Sequence, residues 1–287
     1  MLSVPPERSV PPATLAVLSA ADRVIRALGV DYFVLGATAR DLVLYGVFGI
    51  DPHRGTQDID LAVAVGDWQE FERVKAALVE TNEFTAEAST PHRLFHRQDR
   101  LMRAHPLDLL PFGGVEDASH TIRWPPELSI AMNVAGYREA LEAAQEVEIA
   151  QRFVVRVASL PGLAILKLLA WADRGIEDSR DATDLVTIMR RYAEAGNEDR
   201  VYGPEIDVLE AVGYDLALAS PRLLGRDAAR IAAQATRDQV LALLGHDVLG
   251  HRLAKDMARA SRGVEDAITE AEALLAQFRT GFDEAPR

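Results

Sequence analysis

Two aspartates separated by a single residue, Asp58 and Asp60, are the clearest chemical feature of the sequence. They lie in residues 57–65, where alternating apolar and polar residues predict a β-strand. Side chains two residues apart on a strand point to the same face, so the two carboxylates would repel each other unless a cation lies between them. Magnesium takes oxygen ligands and is typically held by one or two carboxylates together with substrate phosphates. The alternative is a solvated strand edge that carries two surface acids.

A glycine, Gly36, separates a short apolar strand-like run at residues 32–35 from a helical stretch at residues 37–47. Glycine at such a turn lets the backbone approach a phosphate closely, and the free N–H groups of a helix N-terminus attract anions. Thr38 would add a hydroxyl donor to the same phosphate. The alternative is an ordinary tight turn followed by a helix cap.

A third acid, Asp108, interrupts the apolar run at residues 107–110. A carboxylate on an otherwise buried strand needs a partner, because burying an unpaired charge is costly. A metal ion would be one such partner. The alternatives are a place on a strand edge and an ion pair with a nearby arginine such as Arg103.

The elements that would position these residues divide the chain into two parts. In the first, short apolar strand candidates alternate with amphipathic helices, which is typical of an α/β (α+β) core. From residue 161 onward, stretches rich in Ala and Leu with helical periodicity dominate. We therefore expect a flexible, proline-rich tail at residues 1–13, a core at residues 14–159 and an all-helical domain at residues 160–287.

Composition excludes several classes of protein. The chain has 287 residues, 48% of them hydrophobic, which is enough to bury a substantial core. Its 31 Lys and Arg against 44 Asp and Glu give a net charge of −13, which argues against coating nucleic acid through bulk charge. The absence of cysteine excludes disulfide scaffolds and thiol catalysis. With neither a signal-peptide core nor an apolar stretch of about 18 residues, we expect a cytoplasmic protein with no membrane partner.

The order of these motifs resembles the nucleotidyltransferase superfamily with the DNA-polymerase-β-like core, whose pattern is a G-[GS]-[ST] turn, a D-x-D pair and a third strand carboxylate. The helical half extends the resemblance. It has a run from Lys167 to Arg174, which is followed by Arg-Asp-Ala-Thr-Asp-Leu at residues 180–185. This arrangement is similar to the K…A…R…RDxxDL signature of the AbiEii/MenT-type toxins. The resemblance covers roughly residues 30 to 190. One departure is Ala37, which stands where the family has a second glycine or a serine.

The resemblance implies a nucleotidyltransferase-type mixed sheet with flanking helices, followed by a helical domain. It also implies a reaction that moves a nucleoside monophosphate from an NTP to an acceptor hydroxyl, with two Mg²⁺ ions and release of pyrophosphate. The implied metal ligands are Asp58, Asp60 and Asp108. The implied catalytic residues are these three with Lys167 and Asp181, where Asp181 would orient Lys167 or Arg174. The implied nucleotide-binding residues are Gly36, Ala37, Thr38, Lys167 and Arg174.

The family points to the 3′ end of a tRNA as the acceptor, to a toxin role and to a cognate antitoxin protein as a partner. The arginines at positions 93, 97, 100 and 103 form a basic string that would be a limited rim for RNA, or equally a solvated sheet face. One alternative keeps the chemistry and changes the acceptor to a small molecule such as an antibiotic, or to a protein. Another is a catalytically weak nucleotide- or partner-binding module, which the Ala37 departure alone supports.

Overall fold

The computed structural model of the protein describes residues 1–51, 55–56, 58–97, 104–174, 178–261 and 266–284. The chain forms two compact units, residues 1–158 and residues 159–287. The first contains the β-sheet. The described part of the second consists of helices and turns.

The first unit is built around a mixed eight-stranded sheet. Its strands, with those of a separate two-stranded sheet, are β1 (Leu2–Ser3), β2 (Asp31–Leu35), β3 (Ile59–Val65), β4 (Phe84–Ala86), β5 (Arg93–His96), β6 (His105–Gly113), β7 (Thr121–Arg123), β8 (Ala131–Asn133), β9 (Gln145–Ala150) and β10 (Phe153–Val157). The order in the large sheet is β1-β9-β10-β2-β3-β6-β5-β4, and β7 pairs with β8. Parallel pairs, such as β3 with β6, stand beside antiparallel pairs, such as β2 with β3. The predicted α/β fold with a mixed sheet is confirmed.

Helices cover this sheet because their apolar positions recur at helical spacing. They are α1 (Pro12–Ala27), α2 (Gly36–Asp41), α3 (Trp68–Glu80) and α4 (Tyr137–Glu142). Helix α3 begins where the side chain of Asp67 accepts a hydrogen bond from the backbone N–H of Glu70. Its buried residues Phe71, Val74 and Leu78 lie on one face. Helix α2 continues directly into a π-helical stretch at Leu42–Val47.

The first 13 residues differ from the predicted flexible tail. Leu2 and Ser3 form the edge strand β1, which pairs in parallel with β9. The Arg8 guanidinium donates hydrogen bonds to the carbonyls of Gly46 and Val47, at 3.1 and 2.8 Å. Helix α1 begins at Pro12, where the missing N–H costs nothing because the first turn of a helix has no acceptor for it. The prolines that suggested a tail therefore mark a helix start within an ordered segment.

The second unit is helical in its described part, as predicted. Its helices are α5 (Leu160–Arg174), α6 (Arg180–Arg191), α7 (Glu198–Val201), α8 (Ile206–Glu210), α9 (Leu216–Ile231), α10 (Gln234–Leu244), α11 (Asp247–Met257) and α12 (Ala267–Glu284). Helix α5 is buried over most of its length, which explains its apolar sequence, and it packs against α6 and α9. Among the described residues, no helix combines the length and apolar character that a membrane span requires.

Candidate functional site

Three charged side chains lie in a row across the sheet of the first unit. Asp60 of β3 is paired with Asp108 of the parallel strand β6, and Asp108 is paired with Arg93 of the antiparallel strand β5. Paired residues of neighbouring strands place their side chains on the same face, about 5 Å apart. The two acids that the sequence analysis proposed from separate motifs are therefore direct neighbours.

Asp58 lies immediately before β3 and is half-buried. Its backbone carbonyl accepts hydrogen bonds from two threonine hydroxyls, Thr38 at 2.9 Å and Thr56 at 3.3 Å. Thr38 was expected to donate to a phosphate, but in this structure its hydroxyl hydrogen is directed to Asp58. The hydroxyl thus connects helix α2 to the start of β3 and holds the backbone of the D-x-D pair. Thr56 has this contact without having been singled out from the sequence.

The backbone of Gly36 lies close to the side chain of Asp60. Its φ of +68° lies in the left-handed region, and a Cβ on this residue would lie 2.0 Å from Oδ2 of Asp60. Any side chain here would displace the carboxylate. Ala37 follows within helix α2 and is not among the described residues with positive φ, so it does not need the conformational freedom of the glycine that the family has there.

Asp108 forms a two-pronged ion pair with Arg93. Nε and Nη2 of the guanidinium donate to Oδ1 and Oδ2 of Asp108, both at 2.7 Å. Asp108 is 7% exposed, and the Arg93 side chain is 31% exposed. The pKa of Arg93 is raised: its hydrogen bonds to Asp108 outweigh burial, which lowers it, and the charges of Asp108, Asp58 and Glu87 raise it further.

The arginine that pairs with Asp108 is therefore Arg93, a member of the basic string at positions 93, 97, 100 and 103. Arg103, the arginine expected from the sequence as an alternative partner, lies outside the described residues, as does Arg100. Arg97, the remaining member of the string, is exposed just after β5. Arg93 can be identified as the partner of Asp108 only from the strand register, because the two residues lie opposite each other where β5 pairs with β6.

The acidic residues of this site fit one hard divalent cation through two carboxylates. Asp58 and Asp60 supply oxygen donors two residues apart, and Mg²⁺ completes its shell with water and substrate phosphates. Both oxygens of Asp108 already accept hydrogen bonds from Arg93. In the described ranges, no three acidic or histidine side chains are grouped so as to hold a metal ion.

A pocket of about 450 Å³ opens beside this site within the first unit. Thr38 and Thr56 line it together with Tyr45 of the π-helical stretch and the N-terminal segment around Arg8. A cavity of this size accepts a small molecule. The pocket was not evident from the sequence, because part of its lining comes from residues 8–11, far from Thr38 and Thr56 along the chain.

In the second unit, Lys167 is buried with two carboxylates. Its Nζ lies 2.8 Å from Oδ1 of Asp181 and 2.7 Å from Oδ2 of Asp184. Nη2 of Arg174 donates to the other oxygen of Asp181 at 2.9 Å. Burial lowers the pKa of Lys167, but the charges of Asp184 and Asp181 overcome this effect, so the net shift is upward. Asp181 thus contacts both Lys167 and Arg174.

Helical spacing explains how this cluster forms. Lys167 and Arg174 are seven residues apart on α5, hence two turns apart on one face, and Asp181 and Asp184 share a face of α6. Lys167 is only 8% exposed, whereas the Arg174 side chain is 58% exposed. Arg174 is consequently the more accessible of the two cations.

Comparison with known proteins adds a family to this geometry. The family model of the AbiEii nucleotidyl transferase toxins, which belong to type IV toxin–antitoxin systems, matches residues 25–268. Among solved structures, the chain is similar to an antigenic nucleotidyltransferase-like protein from Paracoccidioides brasiliensis, with 16% identity, a TM-score of 0.42 and coverage of 69% of this chain and 90% of the other. It is also similar to the antibiotic-resistance factor ANT(2'')-Ia, with 14% identity, a TM-score of 0.35 and the same coverages. A comparison with curated proteins finds no match.

The match spans both units, from before β2 to the first residues of α12, and so includes the D-x-D pair as well as the cluster around Lys167. The chain belongs to the AbiEii nucleotidyltransferase toxin family.

Proposed function

We propose that this nucleotidyltransferase moves a nucleoside monophosphate from an NTP to an acceptor hydroxyl in a Mg²⁺-dependent reaction. The acceptor hydroxyl gives up its proton to solvent as its oxygen forms a bond to the α-phosphorus. The bond between the α-phosphorus and the bridging oxygen breaks, and pyrophosphate leaves with that oxygen. The observation that carries this proposal is the alignment of Asp60 beside Asp108, with the backbone of Gly36 against Asp60. It places paired acids next to a turn where a phosphate can approach the main chain.

Asp58 and Asp60 are the residues that would hold Mg²⁺. The bound ion would neutralise charge on the triphosphate and on the attacking oxygen. Thr38 keeps Asp58 in place through its hydrogen bond to the Asp58 carbonyl. Gly36 leaves room for the carboxylate of Asp60, because no Cβ occupies the space beside Oδ2.

For the second unit we propose that Arg174 and Lys167 bind phosphate oxygens. Arg174 is the more exposed cation, and Asp181 holds it by one carboxylate oxygen while the other accepts from Lys167. In this arrangement Asp181 is a positioning residue. The positive charge of Lys167 compensates the negative charges of Asp181 and Asp184.

The acceptor that we propose is RNA, with the 3′ end of tRNA as the favoured site and an antitoxin as the partner in the cell. The support is membership of a toxin–antitoxin family. The exposed Arg97 is the described position where a limited rim for RNA would begin. A small-molecule acceptor is the second candidate, and the pocket beside Thr38 and Thr56 is the observation that favours it.

Incubation of the protein with Mg²⁺, each of the four α-labelled NTPs and total RNA is expected to label RNA with one or more nucleotides. Chelation of the metal should abolish the labelling. Label that instead appears on a small molecule or on protein would move the acceptor to the second candidate class. Absence of any labelled product in a lysate, with intact protein, would contradict nucleotidyl transfer by this chain.

Gly36→Ala should lower nucleotide transfer about 100-fold, because a misplacement of a reacting group by about 1 Å has an effect of that size. The matched control is Gly29→Ala, since Gly29 has a φ of +71° but nothing lies within 4 Å of the added Cβ. Both variants should lose about 1–2 kcal/mol of the free energy of unfolding through the left-handed backbone, and Gly36→Ala should lose more because its Cβ displaces the carboxylate of Asp60. Equal transfer rates in the two variants would show that the contact with Asp60 is unimportant. Denaturant unfolding and initial rates give both quantities.

A further inference from the structure

The two-pronged contact between Arg93 and Asp108 is not part of the pattern that relates this chain to its family. That pattern makes the third strand carboxylate a metal ligand. Here the two oxygens of Asp108 each accept a guanidinium hydrogen bond at 2.7 Å. Such paired, charge-assisted bonds are among the strongest that a carboxylate makes, and their planar geometry is specific to arginine.

The surroundings of the pair oppose its exchange for a metal ion. Asp108 is buried, and its strand neighbours on both sides place Asp60 and Arg93 on the same face. A second divalent cation at Asp108 would bind beside the guanidinium, where like charges repel, or would displace it and leave a positive charge with about two thirds of its side chain covered. The guanidinium already supplies a positive charge at this end of the row.

Arg93 also retains donors for a ligand. The two hydrogen bonds to Asp108 come from Nε and Nη2 of the guanidinium, and Nη1 donates to none of the described residues. A guanidinium has five N–H groups, so two remain on Nη1. The side chain is 31% exposed, so solvent reaches part of it. Arg93 lies in the same row as Asp60, with Asp108 between them.

We propose that Arg93 is a binding residue of the nucleotide site, held by Asp108, and that it donates to a triphosphate oxygen where the family pattern expects a second metal ion. Asp108 is then a positioning residue, and one divalent cation is held by Asp58 and Asp60. This inference rests on the proposed nucleotidyl transfer, because it takes an NTP as the ligand. It changes the number of metal ions and the role of the third acid.

Binding measurements without catalysis test the proposal. Mn²⁺ binding, followed by electron paramagnetic resonance, and binding of a non-hydrolysable NTP analogue, followed by calorimetry, are compared in the same variants. Asp60→Asn should lose Mn²⁺ binding, whereas Asp108→Asn should bind one Mn²⁺ with nearly the affinity of the wild type. Arg93→Gln should keep the Mn²⁺ ion that Asp58 and Asp60 hold, and it should bind the analogue about 10- to 100-fold more weakly, the value of a hydrogen bond to a charged group. Asp108→Asn should also weaken binding of the NTP analogue.

Two further variants keep the test decisive. If Asp108→Asn fails to fold because Arg93 is left unpaired, the double variant Arg93→Gln/Asp108→Asn removes both charges and should match Arg93→Gln in both measurements. Arg156→Gln is the matched control, since Arg156 is a strand arginine paired with Asp31 in the same unit and should leave both affinities unchanged.

The results separate this inference from the proposed function. A wild-type protein that binds two Mn²⁺ ions, one of them lost in Asp108→Asn or in the double variant, would overturn the role of Arg93 while leaving nucleotidyl transfer intact. A wild type that binds neither Mn²⁺ nor the NTP analogue would overturn both.

Discussion

Replacing Asp60 with asparagine should lower the rate of nucleotide transfer by about 1000-fold or more. The amide keeps the size and shape of the side chain but removes the charge that a divalent cation requires. The stabilisation of transition-state charge that is lost with the metal amounts to several kcal/mol, and each 1.36 kcal/mol corresponds to a factor of ten. Initial rates of labelled nucleotide incorporation at saturating Mg²⁺ measure the effect.

The control for this variant is Asp31→Asn, at the first residue of the neighbouring strand β2. Asp31 is exposed and forms an ion pair with Arg156. It lies at the opposite end of β2 from Leu35, which is the strand partner of Asp60. Surface ion pairs contribute about 0–1 kcal/mol, so this variant should transfer nucleotide at nearly the wild-type rate. If Asp60→Asn retained a rate within a few-fold of the control at unchanged fold, the D-x-D pair would not be the metal site.

Lys167→Met should destabilise the protein by about 3–5 kcal/mol, because it leaves Asp181 and Asp184 buried without their shared cation. The pKa of Lys167 is raised, so its contribution to stability is complete below the unfolded value of about 10.4 and is lost only as the pH rises through the folded value. The loss caused by the substitution should therefore be fully present at pH 7. Denaturant unfolding at that pH gives the difference.

A triple variant, Lys167→Met/Asp181→Asn/Asp184→Asn, separates stability from function. Removing all three charges should recover most of the lost stability, since an uncharged replacement for a buried ion cluster is often close to neutral. Transfer should stay low in both variants, because phosphate binding by Lys167 and the support of Arg174 by Asp181 are both gone. Wild-type rates in the triple variant would show that neither phosphate binding by Lys167 nor positioning by Asp181 contributes to transfer.

Local periodicity was enough to predict much of this molecule. The alternation around Asp58 and Asp60 predicts a strand, and β3 begins at Ile59. The change of texture after residue 160 predicts the helical second unit. Spacing along α5 places Lys167 and Arg174 on one face, and spacing along α6 does the same for Asp181 and Asp184, because residues that share a helix face need no long-range information. The contact between the two pairs depends on the packing of α5 against α6.

What could not be predicted depends on pairings between distant segments. Arg93 meets Asp108 only because β5 and β6 pair in one particular register, and a shift by one residue would turn Arg93 to the other face. The strand at Leu2–Ser3 exists because β9, far along the chain, offers it an edge. An isolated strand of two residues has no local pattern from which it could be recognised. The ion pair and the ordered N-terminus were missed for the same reason.

The row from Leu35 through Asp60 and Asp108 to Arg93 joins four strands, and this has a consequence for synthesis on the ribosome. Asp60 and Asp108 are 48 residues apart (108 minus 60), and their strands are parallel, a pairing that forms slowly because a long loop must close first. A growing chain therefore contains the D-x-D pair long before its neighbour on β6 exists. Nucleotidyl transfer should begin only after β6 has been made and paired, so a ribosome-bound fragment that ends before residue 105 should be inert. For a member of a toxin family, such a dependence on completed strand pairing keeps the chain inactive at least until β6 has paired with β3.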